Sequence, residues 1–505
     1  MSIGFGIGGW IAVIAVIVIM TYLGYMFSGG RQKKNSTIDE YFLGNRSIGW
    51  LVLFLSFFAA QYSGNTIIGY PAQAYRMGYA YILFPFFMTL PVFGFSLIMP
   101  RLYVLAKKNR YVTASDYLID RYQSHLLNGI AFVFLLWSVI VQLMEQLMSM
   151  GHLFEGFTNG VVPYIGGILI LDIIVVIYVT LGGLKGTMFV QAIQGAIMFV
   201  GIIGLFIATL VSAGGLPPVA ETLKTVAPQK LGAPPLTMAM SFVSFAFLNI
   251  FGIYPHYLQQ FFGTRDEKHL KAAISRLAFV PLFTPLLIVI IGIVCAALFP
   301  DLKTMQAEQV MPMLMANLAS KSVVYYWIVV IAFIACIVAT LSSASAVVIV
   351  ISSMLIKDIY MRYINPKTTE KRATQIGQIS NFVILAIASL IVLNPPATIW
   401  RLTEIKFDGL AQVGPALLIG LYWKKLSKVP TILGMVGGGA ITIYLDWFGL
   451  KPFGLMAGVW GLFLNMAIAI IGSMLLPEPE KEQQRVYDSF MSYFEKAANS
   501  SQTAN

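Results

Sequence analysis

The sequence predicts an all-α polytopic membrane protein, on three observations. Charged residues make up only 11% of the 505 residues and hydrophobic ones 58%, with a mean hydropathy of +0.78. A spanning helix needs about 20 apolar residues. Thirteen stretches qualify, near 4–28, 49–74, 79–100, 125–153, 163–182, 187–213, 236–262, 277–299, 323–352, 376–394, 402–423, 429–447 and 453–476. The connections are mostly short; the longer ones, 29–49, 101–124, 214–236, 300–322 and 357–374, are too small to separate domains. The chain is therefore read as a single transmembrane domain over 1–476, with a core near 49–423. Residues 477–505 are read as a solvated cytoplasmic tail carrying one amphipathic helix around 486–497.

The first stretch has no charge before Arg31. A secretory signal carries positive charge ahead of a shorter apolar run, so residues 1–28 read as a retained span. Thirteen spans put the termini on opposite sides. Most of the 33 basic residues fall on one side, among them Arg31, Lys33, Lys34, Lys107, Lys108, Lys268, Lys371, Lys424 and Lys496. Cytoplasmic connections are the Lys/Arg-rich ones, which places the N-terminus outside and the C-terminus in the cytoplasm. The net charge of +11 then belongs to an inner face lying against anionic lipid. With no soluble basic domain, nucleic-acid binding is excluded. Cys295 and Cys336 lie inside spans and read as small apolar fillers.

Two spans are interrupted. The second contains Gln61-Tyr62-Ser63-Gly64-Asn65-Thr66 and the seventh Gly252-Ile253-Tyr254-Pro255-His256. Gly and Pro break helices, and the freed backbone groups must face protein or a water-filled cavity. Five spans separate the two breaks, so spans 2–6 and 7–11 predict two inverted five-helix repeats, each opening on a helix unwound at a binding site.

No phosphate-binding Gly-rich loop, His-Glu-x-x-His or Gly-x-Ser-x-Gly is present, and only four His occur. With no nucleophile–base pair the chain is not read as an enzyme, and uphill transport would draw on an ion gradient. The ninth span carries Ala339-Thr340-Leu341-Ser342-Ser343. Paired hydroxyls and a nearby carbonyl at mid-membrane offer oxygens to Na⁺. Serines in membrane helices also commonly bond their own helix or pack against a neighbour.

Several segments together resemble the sodium:solute symporter family over nearly the full length. They are Leu102-Tyr103-Val104 through Asp120-Arg121-Tyr122, Leu181-Gly182-Gly183-Leu184-Lys185-Gly186, the Ser-Ser helix ending in Lys357-Asp358-Ile359-Tyr360, and Gly414-Pro415-Ala416 before Leu421-Tyr422-Trp423. The resemblance implies a leucine-transporter-type fold with a ten-helix core. It also implies Na⁺ as coupling ion, held by the carbonyls of Ala59, Tyr62 and Ala339 and the hydroxyls of Ser342 and Ser343. The solute would lie near Gln61, Ser63, Asn65 and Thr66.

Two positions depart from the family pattern. Gln61 stands where proline carriers have Asp, and Val190-Gln191 where Thr-Asp is usual. Gln191 and the deep carboxylate Asp408 are the coupling candidates, and proton coupling remains the alternative. Tyr254-Pro255-His256 is similar to the Pro-His segment of the monocarboxylate, acetate and pantothenate permeases, which adds His256 to the solute site. His256 could instead cap backbone carbonyls near the inner end of its span.

Glu145, with Gln142 as a neighbour, and Asp172 are expected to face the bundle. Arg401, Glu404, Lys406 and Asp408 are expected at the outer interface. The expected function is Na⁺-coupled symport of a small organic solute, a monocarboxylate, across the cell membrane. A transporter-like channel or sensor is the rival, but no carboxylate rings or signalling domain are present. The bilayer is the expected environment, with room for a small partner membrane subunit.

Overall fold

The computed structural model describes residues 5–27 and 38–494. Arg31, Lys33, Lys34 and Lys496, used for orientation, lie outside the described residues, as do 495–497 of the expected tail helix. Among the described residues, nine helices are long and apolar enough to cross a membrane, and ten if the bent pair Leu236–Phe251 and Pro255–Phe262 counts as one. Trp50–Gln61 and Tyr164–Thr180 are apolar but shorter. All thirteen expected stretches are largely helical. Three fail the length criterion because they are broken or short: 49–74, 163–182 and 402–423, the last split by a 3₁₀ turn at Ala411–Val413.

The chain divides into two compact units. The first comprises Met1–Thr89, Ile140–Pro235 and Ser275–Thr403. At its centre the paired-serine helix Val323–Ser353 runs along Tyr164–Ala213, which also receives Ile7–Phe27 and Trp50–Gln61. Tyr164–Ala213 is helical backbone throughout, including the Gly182-Gly183 connection expected between two spans. It is not straight. Residues 178 and 187 would stand about 13.5 Å apart along a straight axis, yet the Tyr178 hydroxyl donates to the Thr187 carbonyl at 3.1 Å. Ile7–Phe27 buries Gly9, Val13, Met20 and Gly24. It exposes Ile7, Ile11, Ile14 and Val18 at helical spacing, the apolar outer face expected of a helix in lipid.

The second unit comprises Leu90–Val139, Leu236–Ile274 and Glu404–Asn505. Leu236–Phe251 packs on Leu90–Asn109, and Lys428–Trp447 pairs with Ala457–Leu475. Small residues let that pair close up. A Cβ on Gly438 would fall 2.6 Å from the Gly461 carbonyl, and one on Gly434 2.7 Å from the Asn465 carbonyl.

The tail differs from expectation. Helix Glu480–Phe490 buries Val486 and Phe490. Phe490 meets the Tyr117 ring edge-on at 6.0 Å, and the Arg485 guanidinium donates to the carbonyls of Asp120 and Arg121 at 3.1 and 3.0 Å. Apolar residues four apart give the helix one sticky face, which outweighs its polar composition.

Candidate ion and solute site

The first broken helix, Trp50–Gln61, stops at Tyr62 (φ −90°, ψ 75°) and helical turns resume at Gly64. A helix end leaves its last carbonyls without intrahelical partners. Here the paired serines take them up. The Ser342 hydroxyl lies 2.6 Å from the Ala59 carbonyl and 2.8 Å from that of Ala339. The Ser343 hydroxyl lies 2.7 Å from the Ala60 carbonyl and 3.5 Å from that of Ala59. All five residues are fully buried. Two hydroxyl protons are thus shared among three carbonyl oxygens, and each hydroxyl donates once. The cluster is rich in oxygen lone pairs and poor in protons, which suits a hard monovalent cation. No group of three His, Cys, Asp or Glu that could hold a metal exists among the described residues. Ser342 also bonds within its own helix, the ordinary role of a membrane serine.

Tyr62 caps the same helix end and buries its ring against Phe58 at 5.2 Å. Gln191 donates its side-chain amide to the Ser342 carbonyl at 2.7 Å. An ionised carboxylate has no proton to donate. The amide at this position therefore ties two helices together in a way that Asp would not.

The break itself is held by a residue the sequence reading missed. The Gly64 N–H donates to Gln146 Oε1 at 3.0 Å. Gly64 has to be glycine, because a Cβ there would sit 2.6 Å from Ser149 Cβ. Gln142, Glu145, Gln146 and Ser149 are all buried. Their spacing puts them on one face of His125–Phe157, a polar stripe that was legible in the sequence.

Of the expected solute residues, Ser63, Asn65 and Thr66 are buried and Gln61 is half-buried. Asn65 Nδ2 donates to Thr403 Oγ1 at 2.8 Å, and that hydroxyl lies 2.7 Å from Glu145 Oε1. Glu145 thus sits in a polar chain reaching the broken helix. Asp172 accepts from the Ser389 hydroxyl at 2.7 Å.

His256 and Asp408 belong to the second unit. The other broken helix bends by 43° between Phe251 and Pro255. Tyr254 is its extended N-cap and Pro255 opens the new helix, the position where a missing N–H costs nothing. His256 is 1% exposed and packs against the rings of Tyr254 and Tyr257 at 5.1 and 4.3 Å. Neither imidazole nitrogen has a hydrogen-bond partner among the described residues, so the ring does not cap carbonyls. Asp408 Oδ1 accepts the Gly458 N–H at 2.9 Å, which gives this carboxylate a structural bond inside its own unit. Glu404, Lys406 and Asp408 are all buried, contrary to the expected interface cluster. Glu404 pairs with Lys451 at 3.4 Å.

The model of the sodium:solute symporter family matches residues 41–438. Similar proteins include the sodium/pantothenate symporter of Escherichia coli strain K12, 28% identical over 480 residues that cover 91% of this chain and 96% of that one. The osmoregulated proline transporter OpuE of Bacillus subtilis strain 168 is also 28% identical, over 90% and 93% of the two chains. Among solved structures, a Na⁺-coupled sialic acid symporter in a substrate-bound, outward-open state superimposes with a TM-score of 0.76 at 18% identity, over 93% of this chain and 98% of that one. The likeness establishes the leucine-transporter-type fold.

Proposed function

This chain belongs to the sodium:solute symporter family, and on that premise we propose where it holds its ion and what kind of solute it carries. It is a Na⁺-coupled symporter of small organic solutes and a multi-pass membrane protein. Na⁺ binds among the carbonyls of Ala59, Tyr62 and Ala339 and the hydroxyls of Ser342 and Ser343. The observation that carries this is the proton-poor oxygen cluster, in which two hydroxyls serve three carbonyls. A cation there replaces contacts between lone pairs, and it bridges the first broken helix to the paired-serine helix. Half-helix ends and unwound carbonyls are where such folds hold cations.

The solute carries a carboxylate and binds near Gln61, Ser63, Asn65 and Thr66. The two relatives named above are called for pantothenate and proline, which share that group. Ion and solute enter from outside together, and alternating access releases both inward. The skew of basic residues supports an outer N-terminus and a cytoplasmic C-terminus.

Reconstituted protein tests the ion assignment by solute uptake with an inward Na⁺ gradient, an inward proton gradient, or neither. Ser342→Ala combined with Ser343→Ala should abolish Na⁺-driven uptake while the protein remains inserted. Wild-type Na⁺ dependence in that double variant would remove the proposed site, and uptake driven by protons alone would replace the coupling ion.

A further inference from the structure

Within the second unit, the docked tail covers basic side chains at one end of the membrane helices. Arg101 follows the 79–100 stretch, Lys424 follows Gly414–Tyr422, and Lys428 opens Lys428–Trp447. Each of them meets the tail. The Arg101 guanidinium lies 3.9 Å from the centre of the Tyr422 ring and 5.0 Å from that of Phe494. The Lys424 ammonium lies 5.0 Å from the centre of the Tyr487 ring. Glu478 stands at the N-terminus of Lys428–Trp447. Its Oε1 accepts the Lys428 N–H at 3.1 Å, and its Oε2 lies 4.0 Å from the Lys428 ammonium.

The two surfaces are complementary in charge. Residues 477–494 hold four acidic side chains, Glu478, Glu480, Glu482 and Asp488, against the two basic ones of Lys481 and Arg485. The three cations facing this acidic strap are half-buried, and Lys425 beside them is exposed. Basic side chains at the end of a membrane helix are also where an anionic leaflet attracts a protein, over about 8 Å at physiological ionic strength. A cation over a ring, an exposed ion pair, and one Lys or Arg near an anionic leaflet are interactions of similar, small size. Headgroup phosphates therefore compete with the tail on equal terms for the same cations. The net negative charge of the tail adds repulsion from such a leaflet.

We infer that the tail and anionic phospholipid headgroups are alternative occupants of the surface formed by Arg101, Lys424 and Lys428, so that the charge of the leaflet on the tail's side sets whether Glu480–Phe490 is docked. In a neutral leaflet the strap stays down, held also by Val486, Phe490 and the two bonds from Arg485. In an anionic leaflet the phosphates take the three cations and the strap lifts. This lipid response goes beyond the symport reading and holds whichever ion and solute the chain carries.

The test uses the full chain near neutral pH, in vesicles of phosphatidylcholine alone or of equal parts phosphatidylcholine and phosphatidylglycerol. Amide exchange across Glu480–Phe490, relative to intrinsic rates, should be at least about fivefold faster in the mixed vesicles. Exchange across Ala457–Leu475 should be the same in both. Arg101→Gln, Lys424→Gln and Lys428→Gln combined should make exchange of the tail equal in the two vesicles. The charge-keeping combination Arg101→Lys, Lys424→Arg and Lys428→Arg should retain the difference. Should the neutral triple variant not insert, Lys424→Gln alone is expected to narrow it. Inorganic phosphate added to the neutral vesicles at matched ionic strength should leave exchange slow.

Equal tail exchange of wild type in the two vesicles overturns the inference. So does a difference that survives loss of the three cations, or one shared in full by Ala457–Leu475. Release by inorganic phosphate in neutral vesicles would give the surface to a free anion and overturn the lipid assignment.

Discussion

The hydroxyl of Ser342 stands 2.6 Å from the carbonyl of Ala59, closing a contact across 283 residues of sequence. It joins a helix end that has lost its own hydrogen-bond partners to a helix that is unbroken. Any ion held there reports on both.

Single substitutions should separate the two serines. Ser342 reaches both Ala59 and Ala339, whereas Ser343 reaches Ala60 and only distantly Ala59. Ser342→Ala is expected to raise the half-saturating Na⁺ concentration at least about tenfold, equivalent to about 1.4 kcal/mol, and more than Ser343→Ala does. Initial uptake rates against Na⁺ concentration decide this, and equal effects would count against the assignment of roles.

Gln191→Glu should make stability depend on Na⁺. The substitution removes the donor to the Ser342 carbonyl and sets an anion against it in a fully buried position. A loss of about 1–3 kcal/mol is expected without Na⁺, recovered in part when the ion is added. Thermal unfolding in detergent with Na⁺ or choline is the measurement. A variant as stable as wild type in choline would show that the amide bond contributes little.

Gly64→Ala should cost about 1–3 kcal/mol through overpacking, because its methyl group would meet Ser149 Cβ at 2.6 Å. It should also impair uptake by shifting the Gly64–Gln146 bond. Ser149→Gly in the same chain should recover most of the loss. Coupling energy from the double-mutant cycle near zero would mean that the two do not compete for space.

On the tail, hydrogen bonding to Arg485 holds the Glu482 carboxyl below its usual range. A depressed carboxylate stabilises the docked form above its unfolded pKa, and that contribution is lost as pH falls through the folded value. Amide exchange across Glu480–Phe490 should therefore stay slow near neutrality and speed up below the ordinary carboxylate range, relative to intrinsic rates. Arg485→Ala should give the faster exchange already at neutral pH.

Both helix breaks were legible because their causes are local. Gly64 and the polar residues around it, and Gly252 with Pro255, cannot continue a helix through lipid. The serine pair stood out for the same reason, as adjacent hydroxyls in an otherwise apolar run. Gln146 and Thr403 escaped notice. Their partners lie 82 and 338 residues away; the polar stripe containing Gln146 marks a buried face, but nothing local names the partner that it meets. Charge alone argues for water and so predicts Lys406 and its neighbours at the interface. The structure buries them, where ring faces, a backbone N–H and Lys451 compensate. The charge of the tail predicts solvation, although Val486 and Phe490, four apart, mark one side of a helix.

Gln412 sits in the 3₁₀ turn that interrupts the last core stretch, and its amide nitrogen lies 3.3 Å from the Gly458 carbonyl, while Asn465 donates to the Gln412 carbonyl at 2.7 Å. The glycine-lined pair Lys428–Trp447 and Ala457–Leu475 is thereby riveted to the turn at two points. Pair and turn therefore form one stiff block, and a bulkier residue at Gly438 would pry its seam open, since even a Cβ there would crowd Gln412 and the Gly461 carbonyl together.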